Sequence, residues 1–427
     1  MQRLAVILCL LLALLALVSC GSSTPSTSTT TTSGLTFRAI MSNATVGTIW
    51  LFDAKLDKLS LNHPVLSAGM SAPGKLSLSQ DKKETLVLGN GTPNLSVVSN
   101  VNEGVSAGPI TLPGVSESAV LSADGATVFA AVRTAPVFGQ PPGAIIAVSV
   151  SSAAISATIP VPDAHFVAIS PDGRRLLVLS DTNNTAAIVY TSLIDTPSQA
   201  TQVLSLPVGS LDRPVAALFS SDSNTAYIVN CGLECGGQAA SVGAVDLSPL
   251  PNDPVLLGNV LVPGGATVAM LNATTLYVAG TTPTAGTSPT DNSCTASGVS
   301  VCGRLTAIDL AGLTRVAEIE ITDGYHTTLG FGANNLMFAG AIGCTNLTSG
   351  GTPTRGCLAV CDIQKNSANV AIANGDVTGI QPIRGRTMVY VAQNGKLLIY
   401  DTTTGQPIDS LKQINVVGQA FDIKLID

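Results

Sequence analysis

The chain contains few of the residues on which many protein functions depend. Of its 427 residues, 11% are charged, 4% are aromatic and three are histidine. With 20 basic residues and a formal net charge of −7, it lacks the positive surface that nucleic-acid binding requires. The scarcity of aromatic residues argues against a carbohydrate-binding surface. The few histidines and the lack of a Gly-x-Ser-x-Gly motif argue against a Ser-His-Asp hydrolase, and no Walker loop, EF-hand or His-Glu-x-x-His motif occurs.

Long apolar runs are also scarce, and the one that stands out is at the N-terminus. Residues 4–17 are almost all apolar and follow Arg3. This run is too short and too close to the start for a membrane span, and it is typical of a secretory signal peptide. We predict a signal peptide over residues 1–19 and a flexible tether over 20–35, because Ser, Thr and Gly dominate the latter.

The stretch Leu17-Val18-Ser19-Cys20 resembles a bacterial lipobox. The resemblance implies cleavage before Cys20 and lipidation of its thiol. The alternative is an ordinary signal peptide followed by a chance cysteine. Gly21 in place of Asp favours the outer membrane if the source is Gram-negative. The expectation is a lipid-anchored protein of the bacterial cell envelope, on the periplasmic or extracellular face.

A hairpin pattern recurs along the rest of the chain. Residues 164–181, AHFVAISPDGRRLLVLSD, are two apolar strand-like runs around a tight Pro-Asp-Gly turn. A third and a fourth strand-like run follow each copy, which gives units of roughly 50 residues. The second strands of the units are predicted to begin near Phe37, Thr85, Thr127, Arg175, Ala226, Leu276, Leu336 and Met388. Eight four-stranded units at this period indicate a β-propeller.

The two ends of the chain complement each other. The first unit lacks its innermost strand, and residues 418–427, GQAFDIKLID, supply a spare one. Such a strand would close the ring and leave no unpaired radial edge. We therefore predict an all-β fold over residues 36–427. This fold is a β-propeller of eight four-stranded blades, with seven blades as the alternative, and the C-terminal strand closes the ring. We expect the protein to be a monomer.

Three segments resemble known propeller repeats. Two of them resemble the YVTN-type repeat, a relative of surface-layer and quinoprotein-like propellers. They are ISPDGRRLLVLSD at residues 169–181 and AIDLAGLTRVAEIEITDG at residues 307–324. Residues 399–411, IYDTTTGQPIDSL, are similar to the Asp-x-x-Thr-Gly repeat of quinoproteins. The tryptophans of that repeat are absent, since Trp50 is the only tryptophan, so neither a quinone nor another cofactor is expected. The resemblance implies architecture and not activity, because such propellers include scaffolds, binding modules and lactonase-like enzymes.

Seven cysteines follow Cys20. Six fall as pairs in or beside the loops between second and third strands: Cys231 with Cys235, Cys294 with Cys302, and Cys344 with Cys357. Outside the cytoplasm such pairs predict disulfides, although the sequence leaves their connectivity open. Cys361 is expected to be a buried free thiol. A zinc site is the alternative, but no histidine or acidic residue is suitably spaced, so no metal is expected.

Candidate ligand-binding residues follow from the propeller geometry. Loops between second and third strands share one face with the crossings between blades, and residues just before the innermost strands line the channel mouth there. These residues are Glu117, His165, Arg213 and His326. Charged groups from different blades could converge on a ligand at this mouth. A solvated or loop-bonded role remains the alternative for each, and Asp124 and Asp172 are expected to be structural, in turns of the opposite face.

These observations favour a non-enzymatic binding or scaffold function over an enzymatic one. The partner, besides the membrane, is an unidentified protein or small molecule. The alternative is a lactonase-like hydrolase that uses acidic residues at the channel. Glu117 would belong to it, with Asp163 and Asp323 nearby in crossings between blades. No catalytic residue is assigned.

Overall fold

The computed structural model describes residues 32–248, 253–281, 294, 301–345, 347–371, 375–408, 414 and 416–427. Residues 33–427 form one compact unit. The predicted signal peptide, Cys20 and the tether up to residue 31 lie outside the described residues. None of the helices within the described ranges has the length and apolar character of a membrane span.

The first half of the unit forms four sheets. The first contains β1 (Arg38–Asn43), β2 (Thr48–Asp53), β3 (Lys58–Leu59) and β4 (Val65–Ser67). The second contains β5 (Pro73–Leu78), β6 (Glu84–Gly89), β7 (Asn94–Ser99) and β8 (Gly104–Thr111). The third contains β9 (Ser118–Leu121), β10 (Thr127–Val132), β11 (Ala144–Ser149) and β12 (Ala154–Pro160). The fourth contains β13 (Phe166–Ile169), β14 (Arg175–Ser180), β15 (Thr185–Tyr190) and β16 (Thr201–Val203).

The second half continues the series. The fifth sheet contains β17 (Pro214–Phe219), β18 (Thr225–Asn230), β19 (Ser241–Asp246) and β20 (Val255–Leu261). The sixth contains β21 (Val268–Asn272), β22 (Thr275–Thr281), β23 (Gly303–Asp309) and β24 (Thr314–Ile321). The seventh contains β25 (Tyr325–Phe331), β26 (Leu336–Ile342), β29 (Leu358–Asp362) and β30 (Ser367–Val370), with β27 (Thr348–Ser349) and β28 (Thr352–Pro353) as a hairpin between β26 and β29. The eighth contains β31 (Val377–Pro382), β32 (Met388–Gln393), β33 (Lys396–Asp401) and β34 (Gln406–Pro407), and β35 (Ala420–Leu425) follows.

The eight sheets are the blades of a β-propeller, as predicted. Antiparallel neighbours follow chain order from an innermost strand A to an outermost strand D, and β35 pairs with β1 as strand A of blade one. Each second strand begins at or within one residue of its predicted start. Short helical segments lie in loops: α1 (Pro197–Ala200) and 3-10 turns at Thr191–Leu193 and Gly232–Cys235.

Apolar side chains between adjacent blades form the core. In β1, the successive residues Ile40 and Met41 point to opposite faces, because side chains alternate along a strand. Ile40 packs with Val87 of blade two, and Met41 packs with Tyr390 of blade eight. Similar clusters of buried side chains fill the other interfaces in the described residues. Blade one is therefore packed on both sides, so the ring is closed.

The blades define two faces of the propeller. The loop face carries the B–C loops and the crossings from strand D to the next strand A. The turn face carries the A–B and C–D turns. Asp172 lies in the A–B turn of blade four, where its carboxylate accepts hydrogen bonds from Ser170 Oγ at 2.6 Å and the Arg174 N–H at 3.1 Å. Asp124 makes the matching bonds in blade three, so both have the structural role in a turn that the sequence predicts.

Disulfides staple three consecutive B–C loops of the loop face, as predicted. The pairs are Cys231–Cys235 in blade five, Cys294–Cys302 in blade six and Cys344–Cys357 in blade seven. Cys361 is a buried free thiol in β29, and burial raises its pKa.

Candidate functional site

A cluster of charged side chains at the channel mouth, on the loop face, connects blades three, four and five. We call it the mouth cluster. Its members are Glu117, Arg133, Asp163, His165, Asp181 and Arg213. Each lies at the loop-face end of a strand A or a strand B, or in a crossing between blades, so the repeat itself brings them to one place.

His165 lies at the centre of the mouth cluster. Its N–H bonds to the Leu179 carbonyl, which extends the ladder between β13 and β14 by one residue and holds the side chain at the mouth. The ring places Nδ1 2.7 Å from Asp181 Oδ1 and Nε2 3.3 Å from Glu117 Oε2. The Phe166 ring covers it, with 4.0 Å between the ring centroids. The histidine thus bridges carboxylates of two blades.

Electrostatics favour the charged imidazole. Burial alone would lower the pKa of His165, but the hydrogen bonds to Asp181 and Glu117 outweigh it and raise the pKa to about 9. The hydrogen bond from His165 lowers the pKa of Glu117 in return. At neutral pH His165 therefore donates from both nitrogens to two ionised carboxylates.

Arg133 and Asp163 extend the cluster between blades three and four. Arg133 Nε donates to Asp163 Oδ1 at 2.6 Å, and a second guanidinium nitrogen lies 3.8 Å from Asp181 Oδ1. Asp163 also accepts a hydrogen bond from Ser180 Oγ at 2.6 Å. Arg133 and Asp181 each directly follow strand B of their blade. Neither residue belongs to a motif of the sequence, but both occupy the position directly after a second strand, and that shared position is the signal that could have identified them.

Arg213 joins the cluster from blade five. Its side chain donates to the Asp181 carbonyl at 3.3 Å, and its N–H donates to Asn184 Oδ1 at 2.8 Å. The structure therefore links three of the four candidate residues: His165 bonds to Glu117 and Asp181, and Arg213 bonds to the main-chain carbonyl of Asp181.

His326, the fourth candidate residue, lies apart from the cluster. Its side chain is 0% exposed and packs against blade six, with Nδ1 3.5 Å from Thr281 Oγ1. Burial lowers its pKa to about 4, so it is neutral at neutral pH. Its Nε2 has no hydrogen-bond partner within the described residues.

Two further groups complete the mouth. Glu234 lies within the Cys231–Cys235 loop, where burial raises its pKa to about 8 and the Thr281 N–H donates to its carboxyl at 2.8 Å. Tyr325 is the first residue of β25 and so lies at the loop-face end of blade seven. Its burial raises its pKa to about 12, and Glu234, Glu117 and Asp181 add to the shift. These acids thus face a common space from different blades.

Cavities open on both sides of the mouth cluster. One of about 310 Å³ is lined by Lys75, Ser116, Glu117 and Phe421. Another of about 700 Å³ lies between blades four and five and is lined by Asp212, Arg213 and other residues. Each cavity offers both a cation and a carboxylate. In the described ranges, no three His, Cys, Asp or Glu side chains are grouped so that they could hold a metal ion.

Comparisons with known proteins agree on the fold. No family model and no curated protein sequence matches the chain. A functionally unknown protein from Desulfotomaculum acetoxidans DSM 771 aligns over 91% of this chain and 99% of its own, at 13% identity and a TM-score of 0.54. Dihydro-heme d1 dehydrogenase NirN, solved in complex with DHE, aligns over 91% of this chain and 75% of its own, at 11% identity and a TM-score of 0.63. At such identities the likeness shows a shared β-propeller architecture.

Proposed function

We propose that this chain is a lipid-anchored β-propeller of the cell envelope that binds a polar ligand at the mouth cluster without transforming it. The observation that carries the proposal is the bridge from Glu117 through His165 to Asp181. A histidine with a pKa of about 9 is already protonated at neutral pH, so it is not available as a general base. It serves instead to hold two carboxylates in place.

The exposed parts of the site suit a ligand with charges of both signs, either a small molecule or a loop of a partner protein. The Glu117 side chain is 65% exposed and lies in the same cavity as Lys75. Arg213 and Asp212 line the cavity on the other side. Ion pairs at such concave sites give orientation and specificity.

Calorimetric titration with amino acids, dipeptides and dicarboxylates tests this proposal. We expect a subset to bind, and Glu117→Gln and Arg213→Gln to weaken that binding about tenfold or more, because each removes a charge-assisted hydrogen bond. Arg174→Gln, which changes an exposed arginine of the turn face, is the matched control and should bind as the wild type does. Equal affinity in all variants would place the ligand elsewhere.

The lactonase-like alternative requires a carboxylate that is free to act as a base. Asp163 is bonded to Arg133 and Ser180, and Asp323 accepts the Thr345 N–H at 3.1 Å. Neither is available, and the Glu117 carboxylate is bonded to the His165 imidazolium, which lowers its pKa and makes it a weaker base. Lactone hydrolysis that is lost in Glu117→Gln, measured with and without added Ca²⁺ or Mg²⁺, would reverse our preference for binding.

The lipid anchor rests on Leu17-Val18-Ser19-Cys20 and the apolar run before it. We propose attachment to the outer membrane in a Gram-negative source, with the propeller on the periplasmic or extracellular side. Cys20→Ala should abolish incorporation of labelled fatty acid, whereas Cys9→Ala, inside the apolar run, should leave it intact. Labelling that persists in Cys20→Ala would refute the anchor.

A further inference from the structure

The A–B turns of blades two to five repeat one device. A serine is followed two residues later by an aspartate whose carboxylate accepts hydrogen bonds from the serine hydroxyl and from a backbone N–H of the turn. The pairs are Ser79 and Asp81, Ser122 and Asp124, Ser170 and Asp172, and Ser220 and Asp222. These turns place a carboxylate in each of four consecutive blades on the turn face.

Blade eight departs from this device. Ile383 takes the place of the serine, since its N–H bonds to Met388 as that of Ser170 bonds to Arg175. Gly385 then takes the place of the aspartate, and Arg384 and Arg386 flank it. The A–B turn of blade eight therefore carries two guanidinium groups where the turns of blades two to five carry a carboxylate.

The two arginines differ in their partners. Arg386 pairs with both carboxylate oxygens of Asp57 at 2.6 and 2.7 Å, so it ties blade eight to blade one. Arg384 is exposed and makes no ion pair or side-chain hydrogen bond within the described residues. The role of Arg386 is therefore structural, whereas the Arg384 guanidinium is accessible to a ligand.

Arg384 lies at the rim of a cavity of about 480 Å³ at the turn-face end of the channel. The walls come from the last residues of four adjacent innermost strands: Leu78, Phe331, Pro382 and Leu425. Lys82 from blade two enters the same cavity, where its ammonium donates to the main-chain oxygens of Leu425 and Asp427 at 3.3 and 3.0 Å. Burial and then the nearby Arg384 lower the pKa of Lys82, and Asp427 opposes them in part without reversing the shift. Two cations thus converge on an apolar concavity.

The carboxylates around this cavity are already paired with other groups. Asp81 binds Lys83 at 2.9 Å, Asp427 binds Arg38 at 2.8 Å, and Asp57 is held by Arg386. None of these pairs includes Arg384. An anion that enters the cavity would meet two converging positive charges in a partly desolvated site, where charge-assisted hydrogen bonds are strong.

We propose that the turn-face end of the channel binds a small organic acid, with its carboxylate or phosphate on Arg384 and Lys82 and its apolar body against Phe331, Pro382 and Ile383. A soluble acid fits better than the headgroups of an anionic membrane. A flat anionic surface would also approach the turn carboxylates of blades two to five, whereas a small molecule enters the cavity alone.

Calorimetric titration of the full-length protein with benzoate and phenyl phosphate tests the proposal, with benzamide as the uncharged match for benzoate. We expect at least one of the acids to bind and benzamide to bind at least about tenfold more weakly, because it lacks the charge-assisted contacts. Failure of both acids to bind, or equal affinity for benzamide, would overturn the proposal.

Arg384→Gln should weaken acid binding about tenfold and leave thermal unfolding unchanged, because the side chain is exposed and unpaired in the described structure. Arg174→Gln, in the A–B turn of blade four, is the matched control and should keep wild-type affinity. An equal loss of affinity in both variants would refute a small-acid site. So would a second result: neither acid binds, but phosphatidylglycerol vesicles bind tightly and Arg384→Gln abolishes that binding. Glu117→Gln should not alter this binding, so the outcome is independent of the mouth cluster.

Discussion

The Nδ1 atom of His165 lies 2.7 Å from Oδ1 of Asp181, and the opposite ring nitrogen lies 3.3 Å from Glu117. Asp181 follows strand B of the same blade, whereas Glu117 precedes strand A of the blade before it. One imidazole therefore links two blades at the channel mouth. Its protonation state determines both the charge of the mouth and the strength of that link.

The first prediction concerns the titration of the histidines. The chain has three, so each imidazole signal can be assigned in an NMR titration by substitution. The His165 signal should titrate near pH 9. The His326 signal should stay in the neutral form down to about pH 4, because its ring is buried. A His165 midpoint near 6.5 would mean that its carboxylate bonds do not form in solution.

The same shift predicts how stability depends on pH. The folded state raises the pKa of His165, so it binds the proton more tightly than the unfolded state does. The stabilisation is complete below about pH 6.5 and is lost as the pH rises through about 9. His165→Gln should lower the free energy of unfolding by about 1–2 kcal/mol at pH 6, since the exposed Glu117 is screened by solvent. Urea denaturation should show that the difference in the free energy of unfolding between the wild type and His165→Gln is smaller at pH 10. His63→Asn, outside the cluster, should show the same pH dependence of stability as the wild type.

The sequence predicted the fold well because the signals of a propeller are local. Alternating apolar runs, tight turns and a period near 50 residues are all visible within short windows, and closure needed only a comparison of the two ends. Of the four residues expected at the mouth, three lie in one bonded group, because His165 contacts Glu117 and Asp181 and Arg213 contacts Asp181. They do so because the repeat places residues before strand A on one face.

His326 shows what the repeat could not predict. The pairing of β25 with β26 shifts between His326 and Thr328, whereas β13 pairs regularly with β14 beyond His165. An extra residue in a strand redirects the side chains that precede it. The His326 ring therefore lies between blades six and seven. Such an irregularity depends on packing between blades and leaves no clear mark in the sequence.

Ring closure gives a third prediction. Arg38 at the start of β1 donates to Asp427 at 2.8 and 2.9 Å and pairs with the almost fully buried Glu103 at 3.0 Å. Arg38→Gln would leave the Glu103 carboxylate without its cation, so we expect a loss of about 3 kcal/mol in the free energy of unfolding. Arg315→Gln, which breaks a more exposed pair with Glu318, should cost less than about 1 kcal/mol. Equal costs in denaturant titrations would show that closure does not depend on this pair.

The disulfides give a fourth prediction. Cys344 and Cys357 lie 13 residues apart in sequence, and Cys231 and Cys235 lie four apart. A longer closed loop restrains the unfolded chain more, so the double substitution of Cys344 and Cys357 by Ala should cost about 2–3 kcal/mol. The matching substitution at Cys231 and Cys235 should cost less. The reverse order in thermal or denaturant unfolding would argue that packing, and not loop closure, dominates.

The packing of His326 can be tested through two glycines in the third strands of neighbouring blades. A Cβ on Gly303 would lie 2.4 Å from the Thr322 carbonyl oxygen and 2.7 Å from His326 Cε1, and neither the main chain nor the buried ring can move away freely. Gly303→Ala should therefore cost about 2–3 kcal/mol, as overpacking does, and should shift the His326 imidazole signal. A Cβ on Gly243 would meet its nearest neighbour, Leu256 Cδ1, at 3.6 Å, so Gly243→Ala should change stability by less than about 1 kcal/mol. If the two variants unfold at the same denaturant concentration, the space beside His326 is open, and the imidazole would be free to turn toward the mouth as the sequence pattern suggested.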